Sequence, residues 1–351
     1  METELQDIVP NICSGKDRIS NSGEVALYGS TGVIGRTNSA SYKENIVLVA
    51  RVGANAGQMQ IGNAPCGVTD NTLVIDAKEW NYYIYYFLQH YNLNRLVFGS
   101  GQPLITGGML KRIKVRYGCK AERNNITRLL CLIDERIATQ NKIIEKYESL
   151  IQAISQKVLR PSEYWNEYRL CELADIRSGY SGNQVSHKTA YAVSRIETIS
   201  KHRIDMLRVG YVQDIPSEYK LNVGDILFSN INSIQYIGNT AFVDKEYNLY
   251  HGMNLLRIIP KPSLVIPRFL HLILCTSMAI KHFQSICNKA VSQASINQTS
   301  LGKIMLHIPP LTCQEQICNV FESVEQRLNL EVYYLKRIQL QKNYLLRQMF
   351  I

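Results

Sequence analysis

The sequence lacks the features of a membrane-inserted or secreted protein. No window approaches about 18 uncharged apolar residues, so we predict no transmembrane helix. The opening residues Met1-Glu2-Thr3-Glu4 are not the basic segment with which a signal peptide begins. The nine cysteines include no Cys-x-x-Cys pair and are odd in number, which disfavours disulfides and a structural zinc site. We therefore predict a cytoplasmic protein with no membrane partner.

Motifs that carry catalysis are also missing. We find no Walker-type phosphate loop, no Gly-x-Ser-x-Gly or His-Glu-x-x-His motif, and no [Asp/Asn/Ser]-Pro-Pro-[Tyr/Phe] loop of amino-methyltransferases. Gly53-Ala54-Asn55-Ala56-Gly57 resembles a phosphate-binding turn but lacks a third glycine and a following helix signal. His271 and Cys275 lie four residues apart, but without a third ligand we interpret them as a core pair. We predict no catalytic residue, no metal site and no cofactor in this chain.

The composition is that of a folded, mildly basic protein. Apolar residues make up 46% and charged residues 19% of the 351 residues, a length that favours two domains with their own cores. The formal net charge of +10 favours an anionic partner without identifying one.

Two stretches that are poor in glycine and proline predict two long helices, at residues 119–160 and 311–351. Their apolar positions coincide at an offset of 191 residues, which indicates an internal repeat. The coinciding pairs include Ile126/Ile317, Leu130/Phe321, Ile133/Val324, Ile137/Leu328, Ile144/Leu335 and Ile154/Leu345.

Within each helix the apolar steps alternate between four and three residues. A period of about 3.5 residues is typical of a coiled-coil seam. Gln140, Glu331 and Lys342 interrupt this seam, so we expect a solvated seam that other subunits can also contact. The alternative is two unrelated amphipathic helices, each packed on its own domain.

The chain order of globule, helix, globule, helix restricts how the helices pair. A parallel pair needs a return segment as long as a helix, and residues 160–170 are too few, so we predict an antiparallel coiled coil. A helix over residues 120–158 would be roughly 58 Å long, more than one DNA turn of roughly 34 Å. Each globule combines short β-rich runs with one helical run, Trp80–Gln89 in the first and Pro267–Ser285 in the second.

These patterns together predict an α+β fold with an internal pseudo-twofold repeat, in which two mixed-sheet globules are separated by two long helices. The predicted segments are a first globule at 1–118, a central helix at 119–160, a second globule at 161–310 and a C-terminal helix at 311–351.

Candidate binding residues lie in loops rich in glycine and amides, at matched places of the two copies. Asn and Gln can make two hydrogen bonds to adenine, Arg can do so to guanine, and Ser, Thr and Lys reach bases or phosphates. The first copy offers Ser30, Thr31, Arg36, Arg51, Asn55, Gln102, Lys111 and Arg112. The second copy offers Ser181, Asn183, Gln184, Asn230, Asn232, Gln235, Gln293 and Asn297. Taken singly, these are also the residues of ordinary surface turns.

Three segments are similar to characteristic phrases of the specificity (S) subunit of type I restriction-modification systems. They are Val-Leu-Val-Ala-Arg-Val-Gly-Ala at 47–54, Gly-Ser-Gly-Gln-Pro-Leu-Ile at 99–105 and Ile-Pro-Pro-Leu-Thr-Cys-Gln-Glu-Gln-Ile at 308–317. The repeated domain-helix layout extends the resemblance to essentially the whole chain. The resemblance implies two target-recognition domains, each reading one half of a split sequence in double-stranded DNA. It also implies helices that set the unread spacer and dock two modification subunits.

In such a complex the modification subunits bind S-adenosylmethionine and methylate adenine at N6. ATP and Mg are likewise expected on partner subunits. The restriction subunits carry out translocation and cleavage. The first recognition domain is short for the family, and residues 118–125 lack the Pro-Leu-x-x-Gln-Glu phrase seen at 310–315. We therefore predict a non-catalytic DNA-reading subunit. A DNA methyltransferase or nuclease in its own right would bind cofactor or metal as an isolated chain. A coiled-coil assembly scaffold would leave no sequence-selective footprint on DNA.

Overall fold

The computed structural model describes residues 1–9, 11–97, 103–289 and 293–350. The chain forms two compact units, one of Met1–Ile143 with Glu331–Ile351 and one of Ile144–Leu330. Among the described residues, no helix is long and apolar enough to cross a membrane.

The first unit combines small sheets with helices. Its elements are β1 (Glu2–Glu4), α1 (Leu5–Ile8), β2 (Asn11–Ser14), β3 (Val25–Gly29), β4 (Gly32–Thr37), β5 (Ile46–Ala50), β6 (Met59–Gly62), β7 (Cys66–Val68), β8 (Thr72–Asp76), α2 (Asn81–Tyr91), α3 (Gly107–Lys111), β9 (Lys114–Arg116) and the long helix α4 (Lys120–Val158). The strand orders are β2-β8-β5-β6, β4-β3-β7 and β1-β9. Only β3 with β7 is a parallel pair among these strands, so the sheets are mixed.

Strand β5 lies inside its sheet and is buried along its whole length. Val47 and Val49 pack in one apolar cluster with α2, whereas Ile46 and Leu48 pack in another with Tyr28 of β3. Because alternate side chains of a strand point to opposite faces, a strand covered on both faces needs an unbroken apolar run. This explains why residues 46–50 contain no polar side chain.

The second unit has the larger sheet. Its elements are β10 (Asn166–Arg169), α5 (Leu170–Leu173), β11 (Ala174–Ser178), β12 (Gln184–Val185), β13 (Tyr191–Val193), β14 (Ile199–Ser200), β15 (Arg203–Ile204), β16 (Gly210–Val212), β17 (Ile226–Phe228), β18 (Ile231–Asn232), β19 (Thr240–Phe242), β20 (Leu249–Tyr250), β21 (Leu256–Pro260), α6 (Pro267–Leu274), α7 (Ser277–Ile286), β22 (Asn288–Lys289), β23 (Ala294–Ser295), α8 (Gln298–Gly302), β24 (Met305–Ile308) and the long helix α9 (Leu311–Met349). The strand orders are β11-β21-β17-β19-β15-β14, β12-β16-β13-β20, β18-β23-β22 and β10-β24.

A buried ion pair lies on one face of the six-stranded sheet. Arg257 Nη2 is 2.7 Å from Asp225 Oδ2, and the two side chains are only 4% and 3% exposed. Arg257 also donates to the Glu218 carbonyl, and Asp225 accepts from the Asn222 backbone amide. The additional hydrogen bonds compensate part of the cost of removing both charges from water.

The predicted helical run at 267–285 is two helices rather than one. Thr276 adopts an extended backbone conformation (φ −64°, ψ 148°), and its hydroxyl accepts a hydrogen bond from the Ala279 amide, so it caps α7. The prediction of a single helix was wrong because the apolar spacing continues through the break between α6 and α7. A capping residue can start a new helix without changing the apolar pattern around it.

The two long helices are antiparallel, as predicted. In the first unit Asp134 of α4 pairs with Lys342 of α9, and Gln140 pairs with Glu331, so residue numbers rise along one helix and fall along the other. In the second unit Ile154 of α4 packs in one apolar cluster with Ile317 of α9. The alternative of two helices that pack only on their own domains is therefore wrong.

The polar residues of the helix seam are not solvated as expected. Gln140 is 9% and Glu331 5% exposed. The Gln140 side-chain amide donates to Glu331 Oε2 at 2.5 Å and to the Glu331 carbonyl at 3.1 Å. Lys342 is 13% exposed at its side chain and lies 2.6 Å from Asp134 Oδ1. These groups pair with one another inside the seam.

Candidate nucleic-acid interface

Three loops of the first unit meet at the Asn71 carbonyl. The Ser30 hydroxyl, in the turn between β3 and β4, donates to this oxygen at 3.0 Å. The Arg51 backbone amide, directly after β5, donates to the same oxygen at 3.1 Å. Thr31 stands exposed in the same turn as Ser30. The structure thus brings together two of the loops that carry candidate binding residues, which we call reading loops. The residue that joins them, Asn71, was not among the predicted binding residues.

A further pair of backbone hydrogen bonds joins the segment after β5 to the segment before α3. The Ile105 amide donates to the Arg51 carbonyl at 2.9 Å, and the Gly53 amide donates to the Pro103 carbonyl at 3.0 Å. Gly53 has φ +79°, a left-handed conformation that favours glycine. Asn55 lies half-buried in the same turn. The predicted contact Gln102 lies outside the described residues.

The side chain of Arg51 is held inside this loop cluster. Its Nη1 donates to Ser14 Oγ at 3.3 Å, whereas its Nε is buried and has no hydrogen-bond partner among the described residues. Arg51 itself is half-buried, so it is this one buried N–H donor that lacks a partner, and a bound acceptor would satisfy it.

The other predicted basic residues of the first unit lie on different elements. Arg36 is opposite Ala26 on the β3–β4 hairpin and donates from Nη1 to the Glu24 carbonyl at 2.8 Å. Lys111 and Arg112 are exposed at the end of α3.

In the second unit, two predicted loops form a short sheet. Ile231 of β18 pairs with Ser295 of β23, and Asn232 pairs with Ala294. The Ile296 amide donates to the Asn230 carbonyl at 2.9 Å.

This bond repeats the one between Ile105 and Arg51 of the first unit, since Ile105 and Ile296 are 191 residues apart. The same loop-to-loop junction therefore precedes a long helix in both units.

Several predicted amides of the second unit support the loops themselves. Asn230 donates to the Ile296 carbonyl at 3.3 Å, and its Oδ1 is buried without a hydrogen-bond partner among the described residues. Asn232 bonds both Ser229 Oγ and the Ser233 amide. Asn297 caps α8 by accepting from the Ser300 amide at 2.7 Å.

The remaining predicted residues of the second unit are exposed. Gln235 lies in the turn after β18, and Gln293 lies directly before β23. Ser181, Asn183 and Gln184 form another group, on the loop that leads from β11 into β12. Gln184 pairs with Val212 of β16, a different sheet from the β18–β23 pair.

The structure also brings together three side chains of the kinds that can bind a metal, of which the sequence analysis identified only two. The donor atoms of His202, His271 and Cys275 lie within 4.8 Å of one another. Cys275 Sγ is 3.3 Å from His202 Nδ1 and 3.4 Å from His271 Nε2. The statement that His271 and Cys275 have no third ligand was wrong, because the turn before β15 brings in His202 from a distant part of the chain.

Hydrogen-bond donors decide what this cluster does. Arg268 Nη1 donates to His271 Nδ1 at 2.9 Å, and its Nη2 pairs with both carboxylate oxygens of Glu325 at 2.5 and 2.6 Å. Arginine can only donate, so neutral His271 carries its proton on Nε2, which faces Cys275. A metal at Nε2 would require that proton on Nδ1, where Arg268 already donates. The cluster as built fits a hydrogen-bonded junction better than a metal centre.

Burial fixes the protonation of this junction. It holds the pKa of His271 well below its usual value, with Arg268 and His202 adding to the shift. It also raises the pKa of the Cys275 thiol to about 12 and lowers the pKa of His202. All three groups are therefore neutral near pH 7, and the charge of Arg268 is balanced by Glu325 on α9.

Comparison with known proteins decides the family. A family model described as the type I restriction modification DNA specificity domain matches residues 4–149 and 162–339. The chain belongs to this family.

Two curated members of the type I specificity family are similar to the chain. The putative type I restriction enzyme MjaX specificity subunit of Methanocaldococcus jannaschii is 38% identical over 184 residues, which cover 50% of this chain and 43% of that protein. The putative specificity subunit S.HindORF215P of Haemophilus influenzae is 21% identical over 93% of this chain and 87% of that protein. The chain thus matches less than half the length of the first relative and most of the second.

Solved structures of type I specificity proteins share the fold. The S subunit from M. genitalium superposes with a TM-score of 0.68 at 15% identity, over 100% of this chain and 96% of that one. A second structure, from a study of complex assembly and conformational transition of the type I restriction-modification system, gives 0.61 at 14% identity, over 100% and 97%. At these identities the likeness establishes the α+β architecture with two long helices.

Proposed function

We propose that the chain is the non-catalytic DNA-recognition subunit of a type I restriction-modification complex. Each unit reads one half of a bipartite sequence in double-stranded DNA, and the long helices set the unread spacer. The observation that carries this proposal is the repeated junction of reading loops, in which the amides of Ile105 and Ile296 bond the carbonyls of Arg51 and Asn230. Two loop surfaces of the same construction, each next to a long helix, suit two half-sites at a fixed separation.

The long helices also present apolar side chains that favour docking of modification subunits. Leu132 of α4 and Tyr344 of α9 are 54% and 63% exposed. Other exposed apolar residues on the two helices are Leu129, Leu150, Val320, Leu330, Val332, Tyr333, Tyr334 and Leu340. Covering these side chains with a partner would remove apolar surface from water, which favours association.

Chemistry is assigned to the partners in this proposal. S-adenosylmethionine belongs to the two modification subunits, and ATP and Mg belong to partner subunits in the full complex, with cleavage carried by the restriction subunits. This chain contributes positioning and sequence selection.

The test is a domain exchange read out by methylation. The chain is co-expressed with its modification subunits, and methylated adenines are mapped across the host genome. Replacing residues 162–310 by the corresponding domain of another specificity subunit is expected to change one half of the methylated motif. The half read by the first unit serves as the internal control and must stay the same. An unchanged motif after the exchange would contradict the proposal.

A protein-binding scaffold is the second candidate, and the exposed apolar residues of α4 and α9 are the observation that favours it. The scaffold predicts assembly with partners but no protected DNA sequence. A footprint of the assembled complex on DNA that carries the mapped motif separates the two functions. If the isolated chain methylates DNA with added S-adenosylmethionine, both give way to the enzyme hypothesis.

A further inference from the structure

A basic cleft lies in the second unit, between the chain segments that lead to its reading loops. Its volume is about 500 Å³, and its lining includes Arg169, Arg177 and Lys303 together with Gln298 and Thr299. Arg169 ends β10, Arg177 lies on β11 and Lys303 follows α8. All three cations are exposed at the rim, so their charged ends are available to a ligand.

The charge of the cleft is predominantly positive. The lining contains one carboxylate, Asp175, whose Oδ1 lies 3.7 Å from Lys261 Nζ. Lys261 therefore offsets part of the negative charge of Asp175. Arginine offers a planar fork of donors and lysine a compact charge, and both suit phosphate oxygens. Amide and hydroxyl donors of Gln298 and Thr299 complete a set typical of phosphate contacts.

The basic residues of the cleft are only partly repeated in the first unit. The first unit has Glu4 where the second has Arg169, since both residues directly precede the matched helices α1 and α5. It has Cys13 in place of Arg177, one residue before the matched Ser-Gly pairs at 14–15 and 178–179.

Lys303 has a basic counterpart, Arg112, at the end of α3, and Gly302, which also lines the cleft, has the cation Lys111 as its counterpart. The equivalent place in the first unit therefore has two cations, one carboxylate and one thiol, against three cations and one carboxylate in the second.

The position of the cleft ties it to the reading loops. Arg177 lies two residues before Gly179, at which one predicted reading loop begins, and Gln298 directly follows Asn297, at which another ends. Gln298 Nε2 donates to the Ile176 carbonyl at 2.6 Å, which holds α8 against β11. An anion in the cleft would thus lie beside both loops.

We propose that this cleft binds backbone phosphates of duplex DNA next to the half-site read by the second unit, and that the first unit, where a carboxylate and a thiol stand in place of two of the cations, binds phosphates less strongly at the equivalent place. The inference rests on the proposed function and deepens it. The contacts hold the second unit on DNA without selecting bases, because phosphates are the same at every base pair. The two units consequently differ in how much of their binding depends on salt.

The test compares the assembled complex of full-length chain and modification subunits, wild type against the variant Arg169→Gln, Arg177→Gln, Lys303→Gln. Binding to a duplex that carries the mapped motif is measured between about 50 and 200 mM salt. Each lost phosphate contact lowers the slope of log K against log salt by about 0.9, or roughly 3.5-fold in the ratio of affinities across this range. We expect weaker binding, by a similar factor, to cognate and non-cognate duplexes, with an unchanged methylation motif.

One control variant accompanies the triple variant. Arg208→Gln removes an exposed cation of the same unit that lies 3.4 Å from Asp205 and does not line the cleft, so it should leave the salt slope unchanged. Circular dichroism and thermal unfolding establish that each variant is folded.

The outcomes separate the cleft from the function as a whole. If the wild-type complex shows no DNA binding, the proposed function fails. If the wild type binds and the triple variant keeps its affinity and salt slope, the cleft proposal fails while the function stands. If the triple variant loses assembly with the modification subunits instead, the cleft belongs to an acidic protein surface and the phosphate assignment is overturned. A changed methylation motif would also overturn it, since phosphate contacts carry no base information.

Discussion

The pair Gln140–Glu331 offers a sharp test of how the helix seam is stabilised. The two residues are 191 positions apart, so they are equivalents in the two copies of the repeat and meet each other in the antiparallel pair. Both are more than nine-tenths buried among apolar neighbours of the seam. A leucine at either position would keep the size of the side chain but remove one side of the hydrogen-bonded pair.

The expected magnitudes follow from the contacts. Gln140→Leu removes a charge-assisted hydrogen bond worth about 1.5–3 kcal/mol and a neutral one worth about 1 kcal/mol. Apolar burial of the new leucine returns about 1.5–2 kcal/mol. The single variant should therefore lose about 1–2 kcal/mol of unfolding free energy. The double variant with Glu331→Leu should be neutral or more stable than wild type, because a buried polar pair replaced by apolar residues leaves no charge unsatisfied.

The assay is a double-mutant cycle measured by urea and thermal unfolding, with far-ultraviolet circular dichroism as the readout of helix content. Glu331→Leu alone completes the cycle, and Gln152→Leu, at an exposed position of α4, controls for an added leucine. A coupling of about 2–3 kcal/mol is expected, which corresponds to roughly 4–12 °C in Tm for a unit of this size. Additive single effects would refute the reasoning, since they would mean that the two side chains do not stabilise each other.

Three further predictions address other polar groups of the two units. Burial lowers the pKa of His251 to about 4, so the folded state prefers the neutral ring. The unfolding free energy should therefore fall by about 3 kcal/mol as the pH drops from about 6.5 to about 4. The variant His251→Gln should flatten this pH dependence in unfolding titrations. Tyr86→Phe removes a hydroxyl that donates to Asp134 Oδ2 at 2.9 Å and should cost about 1.5–3 kcal/mol in urea unfolding, more than the same change at an exposed tyrosine. Asn297→Ala should cost about 1 kcal/mol as a lost helix cap, whereas Asn297→Ser should keep the cap and change the methylated motif only if Asn297 also reads a base.

Local periodicity carried most of the fold prediction. The alternation of four- and three-residue steps indicated both long helices, and short β-rich runs indicated strands in each globule. That one of these strands, β5, is buried on both faces is seen only in the structure. Such patterns depend on the geometry of one element, so a single sequence suffices to read them. The break at Thr276 escaped because one capping residue inside an apolar pattern leaves the period almost unchanged.

Contacts between distant segments were the part that periodicity did not reach. His202 joins His271 and Cys275 only because the sheet brings its turn beside α6, and no spacing in the sequence signals that approach. Asn71 is an ordinary turn residue in the sequence, yet its carbonyl accepts bonds from two reading loops. Hydrogen bonds of this kind depend on three-dimensional proximity and not on the chemical character of the residues alone.

The sequence by itself determined the duplicated order of elements, the two long helices and their antiparallel pairing, because apolar spacing and chain connectivity restrict these to few arrangements. Only the tertiary structure decided which polar side chains are used internally and which face solvent. Asn232 and Asn297 are engaged in turns and a cap, and Gln140 and Glu331 satisfy each other inside the seam. The physical reason is that the hydrogen-bond partner of a polar side chain depends on which groups the fold places beside it. An apolar side chain favours burial whatever its neighbours are.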